Sequence, residues 1–128
     1  MSYDRTVSLT SDFATTVDAV REALAAQGFG VLTEIDVTAT LRAKLGHDME
    51  DYLILGACNP PLAHRAIEAD RAIGLLLPCN VVVRREGDHT LVQALDPNTM
   101  VTLTGLPALR PVAQEAAARL DTALASLA

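Results

Sequence analysis

Cys58 and Cys79 are the chain's two cysteines, and each is followed by asparagine: Cys58-Asn59 and Cys79-Asn80. They do not form a Cys-x-x-Cys pair, so the usual thioredoxin-type reading is absent. Cys58 closes the apolar run Tyr52-Leu53-Ile54-Leu55-Gly56-Ala57-Cys58. Cys79 opens a second run, Cys79-Asn80-Val81-Val82-Val83. If the two runs are adjacent antiparallel strands, an end meets a beginning and both thiols fall at one edge of the sheet. Asn59-Pro60-Pro61 reads as a helix start, with Asn as N-cap and Pro in the first turn, where a missing N–H costs nothing. His64 lies further along that helix and could point back to the same edge.

Residues of these types support three readings. A thiol beside a helix N-terminus is biased toward thiolate by the helix dipole and free N–H groups. The edge could therefore bind a small ligand through Cys58, Asn59, His64, Cys79 and Asn80. It could instead hold Zn or Cu, with Cys58, Cys79 and His64 as three ligands and one open position. The thiols could also cycle with a disulfide. Against all three stands the ordinary behaviour of free cysteine, which packs like a small hydrophobe.

Other polar constellations carry less. Glu34 and Asp36 share one strand parity, but no base or nucleophile accompanies them, and a solvated strand face explains them. Asp48, Glu50 and Asp51 lack the spacing and glycine of a calcium loop. Gly28-Phe29-Gly30 follows a helix and precedes a strand, the wrong order for a dinucleotide fingerprint. No Gly-x-Ser-x-Gly or HExxH is present. No reaction follows from the sequence, and no catalytic residue is assigned.

The elements that must position the cysteines can be read from periodicity. Thr6 to Thr10 alternates as a short strand. Ser11 and Asp12 cap an amphipathic helix over residues 12–27 with the stripe Phe13, Val17, Val20, Leu24, and Gly28 ends it. Gly30 to Val37 is a strand with Val31, Ile35 and Val37 on its dry side. Thr38 caps a short helix that closes at Gly46, and residues 47–51 form a polar loop. The run at 52–58 does not alternate, so both of its faces should be covered, by short helices or by a second subunit. Leu62, Ala66 and Ile67 stripe the helix after Asn59, and Asp70 caps a further turn. Residues 79–96 form a β-hairpin about Glu86-Gly87-Asp88. A connection starts at Pro97-Asn98. Pro107 opens a last helix striped by Val112, Ala116, Leu120, Leu124 and Leu127.

The order β-α-β-(short α)-β-α-β-β-α implies an α+β domain, a mainly antiparallel sheet with two long helices on one face. An apolar crevice between residues 13–24 and 112–124 is a second place for a ligand.

Bulk composition narrows the class. With 128 residues there is room for one domain, assigned to residues 1–128. Half the residues are hydrophobic and a fifth are charged, enough to bury a core. Ten basic against sixteen acidic residues give a net charge of −6, which argues against a nucleic-acid partner. Aromatics at 3% leave no base-stacking platform. Pro78 interrupts the apolar stretch around Leu75-Leu76-Leu77, so no membrane span is expected. No secretory signal is visible, and the default location is cytoplasmic. A positive mean hydropathy fits extra buried surface at a subunit interface, or simply abundant alanine.

Three segments together carry a family resemblance: Gly28-Phe29-Gly30-Val31-Leu32-Thr33-Glu34-Ile35-Asp36-Val37; Leu55-Gly56-Ala57-Cys58-Asn59-Pro60 with Ala63-His64-Arg65-Ala66 just after; and Gly74-Leu75-Leu76-Leu77-Pro78-Cys79-Asn80-Val81-Val82-Val83. The combination resembles the DUF302 family of small bacterial and archaeal proteins, from about residue 11 to Asp96-Pro97. The resemblance implies a TBP-like β-α-β4-α fold with extra short helices, and a homodimer. It implies no established activity. The expectation is a small cytoplasmic homodimer that binds a small ligand at the Cys58/Cys79 edge. A thiol redox or Zn/Cu protein, and a purely structural interaction module, are the alternatives.

Overall fold

The computed structural model describes residues 3–128. In chain order its elements are β1 (Asp4–Leu9), α1 (Phe13–Ala26), β2 (Gly30–Asp36), α2 (Val37–Leu45), β3 (Tyr52–Cys58), α3 (Pro60–Ala69), a 3-10 turn (Arg71–Leu76), β4 (Cys79–Glu86), β5 (His89–Leu95), α4 (Thr99–Thr104), a second 3-10 turn (Pro107–Leu109) and α5 (Arg110–Ala125). The expected order is present. The structure adds α4, inside the stretch read as a plain connection. Its six residues are too few to show a helical stripe.

Local chemistry sets the boundaries. The Asp12 side chain accepts from the Thr15 amide at 2.7 Å and starts α1. Its stripe of Thr16, Val20 and Leu24, spaced by four, is buried. Gly28 then takes φ +82°, a left-handed turn that favours glycine. The hairpin turns at Gly87, with Glu86 opposite His89. Its opening strand follows a cis Leu77–Pro78 peptide.

The strands form one antiparallel sheet in the order β1-β5-β4-β3-β2. Leu53, Leu55 and Ala57 of β3 point to the same side as Val81 and Val83 of β4 and Val92 and Ala94 of β5. There they join Val20 and Leu24 of α1 and Leu120 and Ala123 of α5 in one core cluster. A second cluster has no sheet beneath it. It gathers Leu62 and Ala66 of α3, Ile73, Met100 of α4 and Leu109 around Val112, Ala113 and Ala116 of α5. The two ends of α5 thus serve two separate cores.

Three expectations are corrected. In β2, the pairing register shifts between Val31 and Thr33. This bulge leaves Leu32 without a register partner and 67% exposed. An extra residue reverses side-chain parity beyond it. Val31 therefore lies opposite Ala57, while Ile35 lies opposite Ile54 on the other face and is 49% exposed. The shared dry side of Val31 and Ile35 does not exist. Val37 belongs to α2, whose cap is Asp36 rather than Thr38: the Asp36 carboxylate accepts from the Ala39 amide at 2.9 Å. The crevice between α1 and α5 is also absent. Aliphatic side chains fill it to a residual void of about 10 Å³, too small for a ligand.

The face of the sheet opposite α1 and α5 remains largely open. Thr6, Ser8 and Asn80 are exposed there, and Ile54, Val82 and Leu95 are half-buried. Gly56 and Leu91 are buried on this face. A Cβ at Gly56 would run into the Thr33 side chain and lie 2.9 Å from Cγ of Pro78. Only glycine lets Thr33 and Pro78 close over the strand.

Candidate ligand site at the sheet rim

Register brings the two cysteines to one rim. Ala57 is opposite Cys79 across β3 and β4, and Cys58, the next residue, is opposite Gly30 of β2. Both thiols are free, with Cys79 buried and Cys58 half-buried. Strand alternation turns the Cys58 side chain to the face opposite Ala57 and Cys79, yet both cysteine residues border a cavity of about 30 Å³, together with Phe29, Ala57, Leu62 and Met100. The cavity lies where the two core clusters meet, because Phe29 and Ala57 belong to the first and Leu62 and Met100 to the second. β3 and β4 pair without a register shift up to the rim. Beyond it the wall is made by short elements that tile less closely.

Asn59 reaches this cavity but is occupied by structure. Its Oδ1 accepts from the Leu62 amide at 3.4 Å, as an N-cap does, and its Nδ2 donates to the Gln27 carbonyl at 3.3 Å. The same carbonyl accepts from Arg119 at 3.3 Å. Asn59 thus ties the end of α1 to the start of α3 and holds the chain after Cys58 in place.

The other two residues of the expected set lie elsewhere. Leu62 and Ala66 turn into the core. At roughly 100° per residue, position 64 then falls on the far side of α3. The His64 side chain is 75% exposed, with Nε2 3.6 Å from Glu68. Among the described residues no three His, Cys, Asp or Glu side chains gather so that they could hold a metal. The ligand set Cys58, Cys79 and His64 is therefore not assembled. Asn80 follows Cys79 on β4, so strand alternation puts it on the opposite face. It borders an open basin of about 310 Å³ with Tyr3, Tyr52, Val82 and Gln93.

Burial pushes the Cys79 thiol above its ordinary pKa, and the neighbouring Cys58 adds to the rise. The rise favours the neutral thiol over the thiolate. This weakens it as a nucleophile and removes support from disulfide cycling. Met100 was missed by sequence reasoning. The one available signal was an apolar residue just after Pro97-Asn98, and nothing in its spacing tied it to the cysteines.

With the geometry in place, comparison with known proteins is informative. The family model "Domain of unknown function DUF302" matches residues 5–127. The chain belongs to the DUF302 family. A crystal structure of an uncharacterized conserved DUF302 protein from Bacillus stearothermophilus superposes with a TM-score of 0.93 at 31% identity, covering all of both chains. Nothing matches among curated proteins. This DUF302 chain therefore shares its whole architecture, including the strand order that brings Cys58 and Cys79 together, with that solved relative. The family description assigns no reaction.

Proposed function

We propose that this DUF302 protein is a small binding module that holds a ligand of only a few atoms at the sheet rim, between Cys58 and Cys79, and works as a homodimer. The rim cavity carries the reading. Both cysteines and mainly apolar residues line it, whereas the larger crevice that could have taken an organic molecule is filled. At about 30 Å³ it can take a water-sized group and little more. Its walls are mainly apolar, and the polar groups of Asn59 are engaged elsewhere. An occupant must therefore be small and content without hydrogen bonds.

A homodimer is supported by the open face of the sheet. Ile54, Val82 and Leu95 sit there without helix cover, and Arg84 and Glu86 lie beside them 3.6 Å apart. A two-fold axis through such a face sets each apolar strip on its copy and lets opposite charges exchange partners. No helix among the described residues is long and apolar enough to cross a membrane, and a cytoplasmic location is part of this proposal. Nucleic acid is not among the proposed partners, given the net charge of −6.

Native mass spectrometry of freshly purified protein tests both halves. A dimer is expected, with an added mass on each chain; Ala63 also borders the cavity, and the cavity-filling variant Ala63→Leu should lose that mass while staying folded. A bare chain mass in the wild type sinks the ligand. A monomer at micromolar concentration sinks the dimer.

A further inference from the structure

The sheet ends in two outer strands, β1 and β2, and they are unalike. The register of β2 shifts between Val31 and Thr33. β1 pairs with β5 over all six of its residues without a shift. It has no proline, lysine or bulge to guard it, and Arg5 is turned back onto Asp96 and Asp121. Just before β1 begins, the Asp96 amide donates to the Tyr3 carbonyl at 2.8 Å. Antiparallel bonding alternates along a strand. Arg5, Val7 and Leu9 therefore bond to β5, and the backbone N–H and C=O of Thr6 and Ser8 point out of the sheet. The hairpin gives the same phase. Glu86 and His89 close its two-residue turn as a bonded pair, which turns His89, Leu91 and Gln93 toward β4 and leaves Thr90, Val92 and Ala94 for β1.

The side chains of β1 sort by face as well. Val7 and Leu9 form part of the half-buried fringe of the first core. Thr6 and Ser8 are exposed on the open side. This pattern is its own complement. When a second β1 runs antiparallel with Val7 on the two-fold axis, Thr6 falls opposite the second copy's Ser8, and Ser8 opposite its Thr6. The outward groups of both residues then exchange backbone bonds. Hydroxyl meets hydroxyl on one face, and Val7 meets its counterpart on the other at the close spacing of a non-bonded pair. Other registers are worse. A one-residue slip sets Thr6 against Val7, open side against core side. An axis at Thr6 sets Val7 against Arg5, and an axis at Arg5 opposes like charges.

We propose that β1 is a docking edge for a second copy of this chain, joined strand to strand about Val7 into one sheet of twice the width. A second copy brings the matching alternation by identity, whereas an unrelated peptide would have to reproduce it. The strand holds one acid and one base, so the edge itself is neutral although the chain carries −6. The inference goes beyond the homodimer reading above, in which copies meet face to face and leave β1 free in both. Each contact is isologous and closes on itself. The edge contact offers a few main-chain bonds and one valine pair, so it belongs to the weak class and forms at higher concentration than the face contact.

The test is amide hydrogen exchange, read by NMR on the full-length protein at millimolar concentration. Face-to-face contact leaves the β1 margin in water, so only strand pairing slows the amides of Thr6 and Ser8. Proline is tolerated on an outer strand where its N–H would face outward, so Thr6→Pro should stay folded and break the pairing. The Ser8 amide should exchange at least about tenfold more slowly in the wild type than in Thr6→Pro, while Val7 and Leu9, bonded to β5, are protected in both. A second variant reads the register. Val7→Cys, in a Cys58→Ser background, should form a disulfide-linked dimer under mild oxidation, because non-bonded partners lie within disulfide reach. Val7 faces the first core, so the face contact cannot produce this link. Rapid exchange at Thr6 and Ser8 in the wild type overturns the proposal, and a dimer that persists in native mass spectra then leaves the face contact standing. Slow exchange with Val7→Cys unlinked overturns the pairing about Val7. If either variant fails to fold, wild-type exchange decides alone: slowing of Thr6 and Ser8 that fades on dilution upholds the pairing, and rapid exchange at every concentration overturns it.

Discussion

The two cores that share α5 are built differently. Under its C-terminal half, Leu120 and Ala123 press on a continuous sheet and on α1, and the remaining void is about 10 Å³. Under its N-terminal half, Val112, Ala113 and Ala116 meet α3, α4 and two 3-10 turns. No repeating lattice fixes those short pieces, and at the seam with the first core a threefold larger cavity survives. Long regular elements interdigitate to near-crystalline density. Short ones leave room, and here that room lies at the rim where β3 ends and β4 begins. The contrast separates a closely filled part of the molecule from a part with unfilled space.

The largest effect should come from the filled core. Leu120→Ala removes a fully enclosed side chain from a layer that cannot settle, and should cost about 4 kcal/mol. Leu62→Ala, in the looser core, should cost about 2 kcal/mol because α3 can relax toward the gap. Chemical denaturation of the two variants checks this, and a larger loss for Leu62→Ala would break the contrast. Gly56→Ala should cost about 2 kcal/mol, the usual penalty for overpacking, because Thr33 and Pro78 leave no space for a methyl group. The double variant Gly56→Ala/Thr33→Ser should recover little in the same denaturation experiment, because Ser keeps the Oγ that the new methyl meets and Pro78 is unchanged.

The smallest effect concerns the tie between α3 and α5. Glu115 accepts from Arg65 at 3.2 Å and from Arg119 at 3.3 Å, and these two guanidinium groups hold its carboxyl below the usual range. A carboxyl depressed in the folded state stabilises above its unfolded pKa and loses that contribution as pH falls through the folded value. Thermal melts of wild type and Glu115→Gln should therefore differ slightly at neutral pH and converge in acid. The pair is solvent-facing, so the difference should be small. A gap that persists below the carboxylate range would mean that Glu115 acts by packing instead.

Much of the frame was legible because it rests on local rules. Asn59 before two prolines, the Asp12 cap and the Glu86-Gly87-Asp88 turn each have chemistry that depends on near neighbours. The meeting of Cys58 and Cys79 at one rim needed one further step, the pairing of two apolar runs. Three features were out of reach for stated reasons. The bulge at Leu32 leaves the residue sequence looking like an ordinary strand while reversing its faces. His64 depended on the rotation of α3, which Leu62 and Ala66 decide. Met100 sits on a helix too short to announce itself, and its approach to the cysteines is a tertiary fact.

The irregularity in β2 has a consequence at larger scale. β2 is an outer strand of the sheet. A straight outer strand with unpaired amides invites other chains to add on edge to edge, the first move toward fibrils. The kink at Leu32 and the charges of Glu34 and Asp36 spoil that template. Concentrated solutions of this protein should resist growth along that margin, and a variant that straightens it would be the one to watch for amyloid.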